Sequence, residues 1–290
     1  MKIWDRKNNK YIEQEESAQK SLEILYNTFG GRILLKTIFV SRWFSKCQAV
    51  YQKSIFSKGS IKPFIEKHNI DMTRYDKVES YKSFEEFFRR KRNVEKYIDK
   101  KLLTKENLLS IADSKLQVLN LDENSLLKIK NSIYNLKDLT QNEEISDKYK
   151  NGICLIYRLS ANDYHHYHYL DKGKVTYSKY IKGKLHTVRP ISEKYNVYSQ
   201  NSRLVSILKT ENFGDVIQIE VGAMLIGKIV NYEYQEFNKL DEKGFFDFGG
   251  STIVQIFEKD KVIIDKDIIE KSNEGIETIV EIGEKIGVKS

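Results

Sequence analysis

The spacing of hydrophobic positions changes near residue 108 and divides the chain into two parts. In the first part, residues 17–29 and 32–56 carry apolar side chains at helical spacing, and Gly30–Gly31 separates the two segments. The segment SFEEFFRRKRNVEKYI begins with Ser83 and Glu86, which have the spacing of a capping box. These patterns predict helices in the first third of the chain.

Beyond residue 108, apolar and polar residues alternate with a period of two, as in half-buried strands. The segments LVSILKT and DVIQIEV flank a glycine-containing turn at Glu211–Gly214 and predict a β-hairpin. The segments MLIGKIVNYEY and STIVQIFEKDKVIID predict further strands. The predicted fold class is therefore α+β, with N-terminal helices followed by a large, mostly antiparallel β core.

The net charge of +8 is concentrated in the first hundred residues, which hold 22 Lys and Arg against 13 Asp and Glu. No acidic residue lies between Glu23 and Glu66, whereas seven basic residues do. A solvated face on core helices and a surface for an anionic partner both explain this stretch. The run Arg89–Arg92 is interpreted as a solvated helix face, and no nucleic-acid partner is expected, because no RNP, helix-turn-helix or zinc-finger pattern accompanies it.

Several classes of protein are excluded by simple features of the sequence. No uncharged apolar run reaches the roughly 18 residues that a membrane-spanning helix needs. The first residues contain no apolar stretch, so we expect no secretory signal. Cys47 and Cys154 form neither a disulfide framework nor a metal-ligand spacing, and we expect both to be reduced thiols in the cytoplasm.

Three of the five histidines lie in the segment NDYHHYHYL, at positions 165, 166 and 168. A zinc site needs three or four well-placed ligands, and no H-E-x-x-H motif or cysteine pair accompanies these histidines, so no metal site is predicted. On a strand, His166 and His168 would share a face, whereas on a helical turn His165 and His168 would do so.

Two further segments carry candidate chemistry. Asp113 interrupts apolar runs in LLSIADSKLQV, and Ser251 follows Gly249 and Gly250 in FFDFGGSTIVQIF. Taken alone, the aspartate is typical of a turn and the glycines of a turn or bulge. Combined with the histidines they allow a Ser–His–Asp relay. The G-x-S-x-G elbow of α/β-hydrolases is absent, and a serine that leads into a strand suits attack on its own preceding carbonyl.

Six ordered blocks between about residues 80 and 265 resemble the phosphatidylserine decarboxylases. They are SFEEFFRRK, SIADSKL, IKNSIYNLKDLT, RLSANDYHHYH, the long block NSRLVSILKTENFGDVIQIEVGAMLIGKI, and FDFGGSTIVQIF. The last is similar to the cleavage motif of that family. Gly249 stands where many members carry leucine, and Ser114 stands where many carry glycine.

The resemblance implies a proenzyme that makes its own cofactor. In such a relay Asp113 orients His168, His168 takes the proton of Ser251, and the serine oxygen attacks the carbonyl of Gly250. The resulting cleavage between Gly250 and Ser251 leaves a β chain of residues 1–250 and an α chain of residues 251–290. The first residue of the α chain becomes a covalent pyruvoyl group.

The resemblance also implies the reaction. The pyruvoyl group forms a Schiff base with the serine amine of phosphatidylserine, carbon dioxide leaves, and phosphatidylethanolamine is released into phospholipid biosynthesis. His165 is the candidate for carboxylate contact or proton transfer. Two alternatives stay open at this point: a pyruvoyl-dependent decarboxylase of a soluble amino acid, and a noncatalytic membrane-binding homologue.

A lipid substrate gives the basic N-terminal stretch a use. Basic, apolar-rich helices can lie in the headgroup region of an anionic bilayer. We therefore expect residues 1–80 to form a helical membrane-associating region and residues 81–290 to form the catalytic domain. The enzyme is expected at the cytoplasmic face of the cell membrane as a peripheral protein, and a homodimer is left open.

Overall fold

The structure is a computed structural model of the 290-residue chain. It describes residues 2–13, 27–28, 30–31, 50–124, 126–129, 132–142, 145–183, 197–222, 229–247 and 251–290. Most of the two predicted helices at 17–29 and 32–56 lies outside these residues, as do Gly249 and Gly250.

The elements of the described residues are numbered in chain order. The strands are β1 Lys2–Asp5, β2 Lys10–Glu13, β3 Asn107–Leu109, β4 Ser114–Asn120, β5 Leu126–Ile129, β6 Ser132–Asn135, β7 Ile153–Leu159, β8 His166–His168, β9 Gly173–Ile181, β10 Arg203–Thr210, β11 Asp215–Val221, β12 Ile229–Asn231, β13 Glu236–Phe237, β14 Glu242–Phe246, β15 Ser251–Phe257, β16 Val262–Ile264, β17 Glu277–Val280 and β18 Lys285–Lys289. The α-helices are α1 Ile61–His68, α2 Phe84–Phe88, α3 Leu136–Thr140, α4 Val197–Gln200 and α5 Lys266–Asn273.

A large sheet carries the core of the described part of the chain. Its strand order is β13-β9-β10-β11-β15-β7-β4-β17-β1-β2, and its pairs are antiparallel except for the parallel pair β1–β17. All seven residues of β15 are buried, because this strand is covered on both faces and flanked by β11 and β7. The outer strand β9 alternates between exposed and half-buried residues, as expected for a strand with one solvated face.

Smaller sheets pack beside the large one within the described residues: β12-β14-β8, β16-β18-β3 and the hairpin β5–β6. The predicted hairpin is confirmed as β10–β11, and Gly214 occupies its turn with φ of 74°. The prediction of an α+β fold with a mostly antiparallel core is therefore confirmed.

The predicted capping box at Ser83 and Glu86 forms with its second hydrogen bond shifted by one residue, to Lys82 in place of Ser83. The Ser83 hydroxyl accepts a hydrogen bond from the Glu86 N–H at 3.2 Å, and the Glu86 carboxylate accepts one from the Lys82 N–H at 2.6 Å. However, α2 ends at Phe88, and the rest of the predicted helix is irregular apart from a 3-10 turn at Val94–Tyr97. The helix stops where the chain turns Arg90 into the protein interior, 1% exposed.

The N-terminal residues were not predicted as strands, yet β1 extends the large sheet by pairing with β17. Arg6 follows β1 and fixes it to the C-terminal part of the chain, because its guanidinium donates to Asp265, Asp267 and Glu284. No helix among the described residues is long and apolar enough to cross a membrane.

Candidate active site

Several strand ends meet at one edge of the large sheet. β4 and β15 are each antiparallel to β7, so they run parallel to each other and begin at the same edge. One cross-strand row joins Lys115, Arg158 and Thr252. Asp113 precedes β4 directly and Ser251 opens β15, so the two lie at this edge on strands about 10 Å apart, twice the usual strand spacing.

Ser251 is completely buried, and its Oγ has no hydrogen-bond partner within the part of the chain that the structure describes. The backbone of Ser251 pairs with Leu159, the last residue of β7. An unsatisfied buried hydroxyl costs about 1–3 kcal/mol, so its retention calls for an explanation.

His168 reaches the same edge through the strand β8. The backbone N–H of His168 donates to the carbonyl of Ile111 at 3.0 Å, and Ile111 lies two residues before Asp113. Its Nδ1 lies 2.7 Å from the carbonyl of Leu240, which can only accept, so Nδ1 carries the proton. Its Nε2 is buried and has no partner among the described residues. Burial lowers the pKa of His168 to about 4, so at neutral pH the ring is uncharged and Nε2 carries a free lone pair.

Leu240 holds this histidine from an unusual backbone conformation. Its φ is 66°, in the left-handed region that a leucine occupies at a cost of roughly 1–2 kcal/mol. The same residue donates its N–H to the Tyr169 carbonyl at 2.9 Å while its own carbonyl accepts from His168. Both hydrogen bonds hold the strained residue in place and fix the tautomer of His168.

Asp113 makes different contacts from those that a relay implies. Its carboxylate accepts two hydrogen bonds from the Arg92 guanidinium, at 2.6 and 2.8 Å, and one from the N–H of Ile282 at 2.9 Å. Burial raises the pKa of Asp113, and Arg92 opposes the rise. In this structure, therefore, the Leu240 carbonyl and not Asp113 receives the Nδ1 proton of His168.

His165 directly precedes β8, and the histidine segment forms a strand at His166–His168 and not a helical turn. The alternative of a helical turn carrying both histidines toward one cavity is wrong. The His165 Nε2 lies 2.9 Å from the Ser160 carbonyl, and the ring packs on Phe88 at a centroid distance of 4.3 Å. Burial lowers the pKa of His165 to about 3, and its Nδ1 is unpartnered among the described residues.

A known protein family matches the part of the chain that forms this edge of the sheet. The family model described as phosphatidylserine decarboxylase matches residues 84–288, which include Asp113, the histidine cluster and Ser251. The chain belongs to the phosphatidylserine decarboxylase family.

Relatives of this family match along nearly the whole chain. The phosphatidylserine decarboxylase proenzyme 2 of Clostridium acetobutylicum is 50% identical over 284 residues, covering 98% of this chain and 96% of the relative. The phosphatidylserine decarboxylase proenzyme of Ruminiclostridium cellulolyticum is 40% identical, covering 99% of this chain and 97% of its own. The phosphatidylserine decarboxylase proenzyme of Clostridium kluyveri is 38% identical, covering 100% of this chain and 99% of the relative.

Sequence analysis missed part of this phosphatidylserine decarboxylase site. The interpretation of Arg89–Arg92 as a solvated face is wrong for Arg90 and Arg92. The side chain of Arg92 is 3% exposed in its ion pair with Asp113, and Arg90 donates to the carbonyls of Asn162 and Asp163. Four basic residues in a row carry no signal of which side chains turn inward. The Leu240 carbonyl, a backbone group, leaves no signal in residue type at all.

Proposed function

We propose that this protein is a pyruvoyl-dependent phosphatidylserine decarboxylase that cuts itself between Gly250 and Ser251. Decarboxylation of phosphatidylserine is the activity that the family and the names of its relatives indicate. The word proenzyme in those names supports an inactive precursor that is processed. A decarboxylase of a soluble amino acid is disfavoured, because the matched family acts on a phospholipid.

One observation supports the self-cleavage more than any other. A buried hydroxyl, Ser251 Oγ, and a buried imidazole acceptor, His168 Nε2, both lack a partner among the described residues, at the same edge of the large sheet. A donor and an acceptor left unpaired in one core are costly, and catalytic hydrogen bonds often tighten only when the reacting geometry forms. The pair is suited to proton transfer from serine to histidine.

The first step follows from these groups. His168 Nε2 removes the proton of Ser251 Oγ, and the oxygen attacks the carbonyl carbon of Gly250. An ester forms as the peptide C–N bond breaks and the nitrogen of Ser251 takes up a proton. A residue without a β-carbon before Ser251 leaves the approach to that carbonyl uncrowded.

The second step completes the cut. A base removes the α-proton of Ser251, the ester C–O bond at its β-carbon breaks, and Gly250 leaves as a carboxylate. The remaining dehydroalanine tautomerises and takes up water, ammonia leaves, and a pyruvoyl group remains at the start of residues 251–290. When present, its ketone accepts the electron pair released as carbon dioxide departs from the substrate.

Asp113 and His165 complete the proposed set of catalytic residues. Asp113 accepts from Ile282 and anchors the segment whose Ile111 carbonyl accepts from the backbone N–H of His168, which holds the base in position. His165 packs on Phe88 and keeps an unprotonated Nδ1. We assign it to the later stage, contact with the substrate carboxylate or return of a proton to the α-carbon.

An exposed apolar segment supports peripheral binding to an anionic membrane surface. Ile55 is 72% exposed and Phe56 is 82% exposed, and the same stretch of chain carries the exposed Lys53 and Lys62, which pair with Glu85 and Glu79. Adjacent apolar and basic side chains suit insertion below the headgroups together with attraction to anionic lipid. The proposed location is therefore the cytoplasmic face of the cell membrane.

The deciding experiment is the intact mass of freshly expressed protein beside the Ser251→Ala variant. We expect the wild type to give a 250-residue chain and a chain of 290 − 250 = 40 residues that bears a carbonyl in place of its amine. The variant should remain one chain. A single stable wild-type chain would refute self-cleavage, and cleaved protein that releases no carbon dioxide from phosphatidylserine would refute the decarboxylase.

A further inference from the structure

His166, which the cleavage mechanism leaves without a role, has both ring nitrogens against acceptors. Its Nδ1 lies 2.5 Å from Glu242 Oε1, and its Nε2 lies 3.0 Å from the carbonyl oxygen of Arg89. A carbonyl oxygen can only accept, so Nε2 must carry a proton.

Whether Nδ1 of His166 also carries a proton depends on whether the Glu242 carboxyl is ionised. Burial raises the pKa of this carboxyl, whereas the charge of Lys91 beside it lowers the pKa. Tyr232 also donates to the same oxygen, at 3.2 Å, and Lys91 lies 3.9 Å from the other oxygen. Glu242 is therefore ionised, and Nδ1 of His166 must donate to it.

The surroundings of the ring also suit a cation. His166 is 1% exposed and lies between two aromatic rings, with Tyr164 at a centroid distance of 4.8 Å and Phe245 at 5.2 Å. The faces of aromatic rings attract cations. Two further cations contact the same aromatic rings and oppose part of this stabilisation: Arg92 lies 4.6 Å from the Tyr164 ring and Arg89 lies 5.3 Å from the Phe245 ring.

We propose that His166 is a positioning residue for self-cleavage, an imidazolium that clamps β8 to β14 and to the chain after α2. The inference rests on the proposed self-cleavage and deepens it. The clamp holds β8, the strand whose last residue is His168. Its charge also acts on His168 directly, because a nearby cation disfavours protonation of a second histidine.

The charged and titratable groups around His166 come from four segments. They are Arg89, Lys91 and Arg92 after α2, Tyr164, His165 and His168 around β8, Tyr232 after β12, and Glu242 on β14. Burial is the main cause that lowers the pKa of His168, and the charges of His166 and Arg92 lower it further while Glu242 opposes them. A neutral residue at 166 should therefore make His168 easier to protonate.

The charge itself can be measured without any enzyme activity. In full-length protein kept uncut by Ser251→Ala, ¹⁵N-labelled histidine distinguishes an imidazolium, whose two nitrogens have similar chemical shifts, from a neutral ring, whose nitrogens differ widely. We expect one imidazolium at pH 8, retained in His68→Gln and lost in His166→Gln. Neutral rings for every histidine at pH 8 would overturn the proposal, whether or not the wild type cleaves.

The consequence for cleavage is tested by the pH dependence of the precursor's disappearance. His166→Gln should move the acidic limb up by about one pH unit, which slows cleavage about twofold at pH 5 and about fivefold at pH 4. His166→Arg keeps a charge and two donors and should restore the wild-type limb, and His68→Gln, a substitution in α1, should match the wild type. An unchanged limb in His166→Gln would show that the residue serves folding alone.

Discussion

Two buried neutral histidines should make the uncut protein sensitive to mild acid. Burial lowers the pKa of His168 to about 4 and that of His165 to about 3, both from an ordinary value of 6.5. In the unfolded chain both rings take up protons as the pH falls below 6.5, whereas the folded chain does not. The unfolded state then binds more protons, so the stability that is complete above pH 6.5 is lost progressively down to pH 4.

The magnitude follows from the width of that window. Between pH 7.5 and pH 5.0 each histidine lowers the free energy of unfolding by about 2 kcal/mol, since one pH unit corresponds to about 1.4 kcal/mol. The two together should therefore remove about 4 kcal/mol, a large share of the ~5–15 kcal/mol that stabilises a typical protein.

Urea unfolding of the Ser251→Ala precursor at the two pH values measures this loss. His165→Gln in the same background removes one of the two groups, so its stability should change by about 2 kcal/mol less between the same pH values. His68→Gln serves as the control for a smaller effect of the same sign, because partial burial and the charge of Lys67 also lower the pKa of His68. A loss in His165→Gln equal to that of its parent would refute the assignment of His165 as a buried neutral ring.

The other predictions concern function. His165→Ala should still cut itself but release carbon dioxide about 10²–10⁴ times more slowly per pyruvoyl-bearing chain, and normal turnover would remove this residue from the catalytic set. Asp113→Ala should slow cleavage less than His168→Ala does, as gel analysis over time would show; the reverse order would contradict the assignment of His168 as the base and Asp113 as its support. Arg92→Ala leaves the Asp113 carboxylate without its bidentate partner and should lower the free energy of unfolding by about 3 kcal/mol in urea titration. The stability of Arg92→Lys should lie between that of the wild type and that of Arg92→Ala. The fraction of protein that floats with liposomes should increase with anionic lipid, decrease with salt and be smaller for Phe56→Asp. Equal binding to neutral and anionic vesicles would show that electrostatic attraction does not contribute to membrane binding.

The sequence predicted the parts of this molecule that follow from local chemistry. The β10–β11 hairpin was predictable because period-two alternation flanks a glycine that takes a positive φ. The start of α2 was predictable because the Ser83 hydroxyl satisfies the N–H of Glu86 in the first turn. The end of α2 was not, because it depends on where Arg90 finds acceptors more than seventy residues later, at Asn162 and Asp163.

The site divides in the same way. The ordered motifs identified Ser251 and His168, since the residue types and their order carry the family resemblance. The partner of Asp113 could not be read from the sequence, because Arg92 is one of four consecutive basic residues and only tertiary packing selects it. Likewise, the acceptor for His168 is a main-chain oxygen that any residue at position 240 would provide.

The position of Ser251 at the first residue of a central strand has a consequence for the lifetime of the mature enzyme. The proposed small chain contributes β15 between β11 and β7, β17 between β4 and β1, and β18 between β16 and β3. The proposed cut would leave both chains joined by these strand pairs in the native state, whereas a denatured mature sample would contain two separate polypeptides. Refolding changes from a first-order to a second-order process whose yield depends on dilution. Since the serine is also consumed, mature enzyme that unfolds at cellular dilution is in effect lost, and its working life is set by its unfolding rate and not by its equilibrium stability.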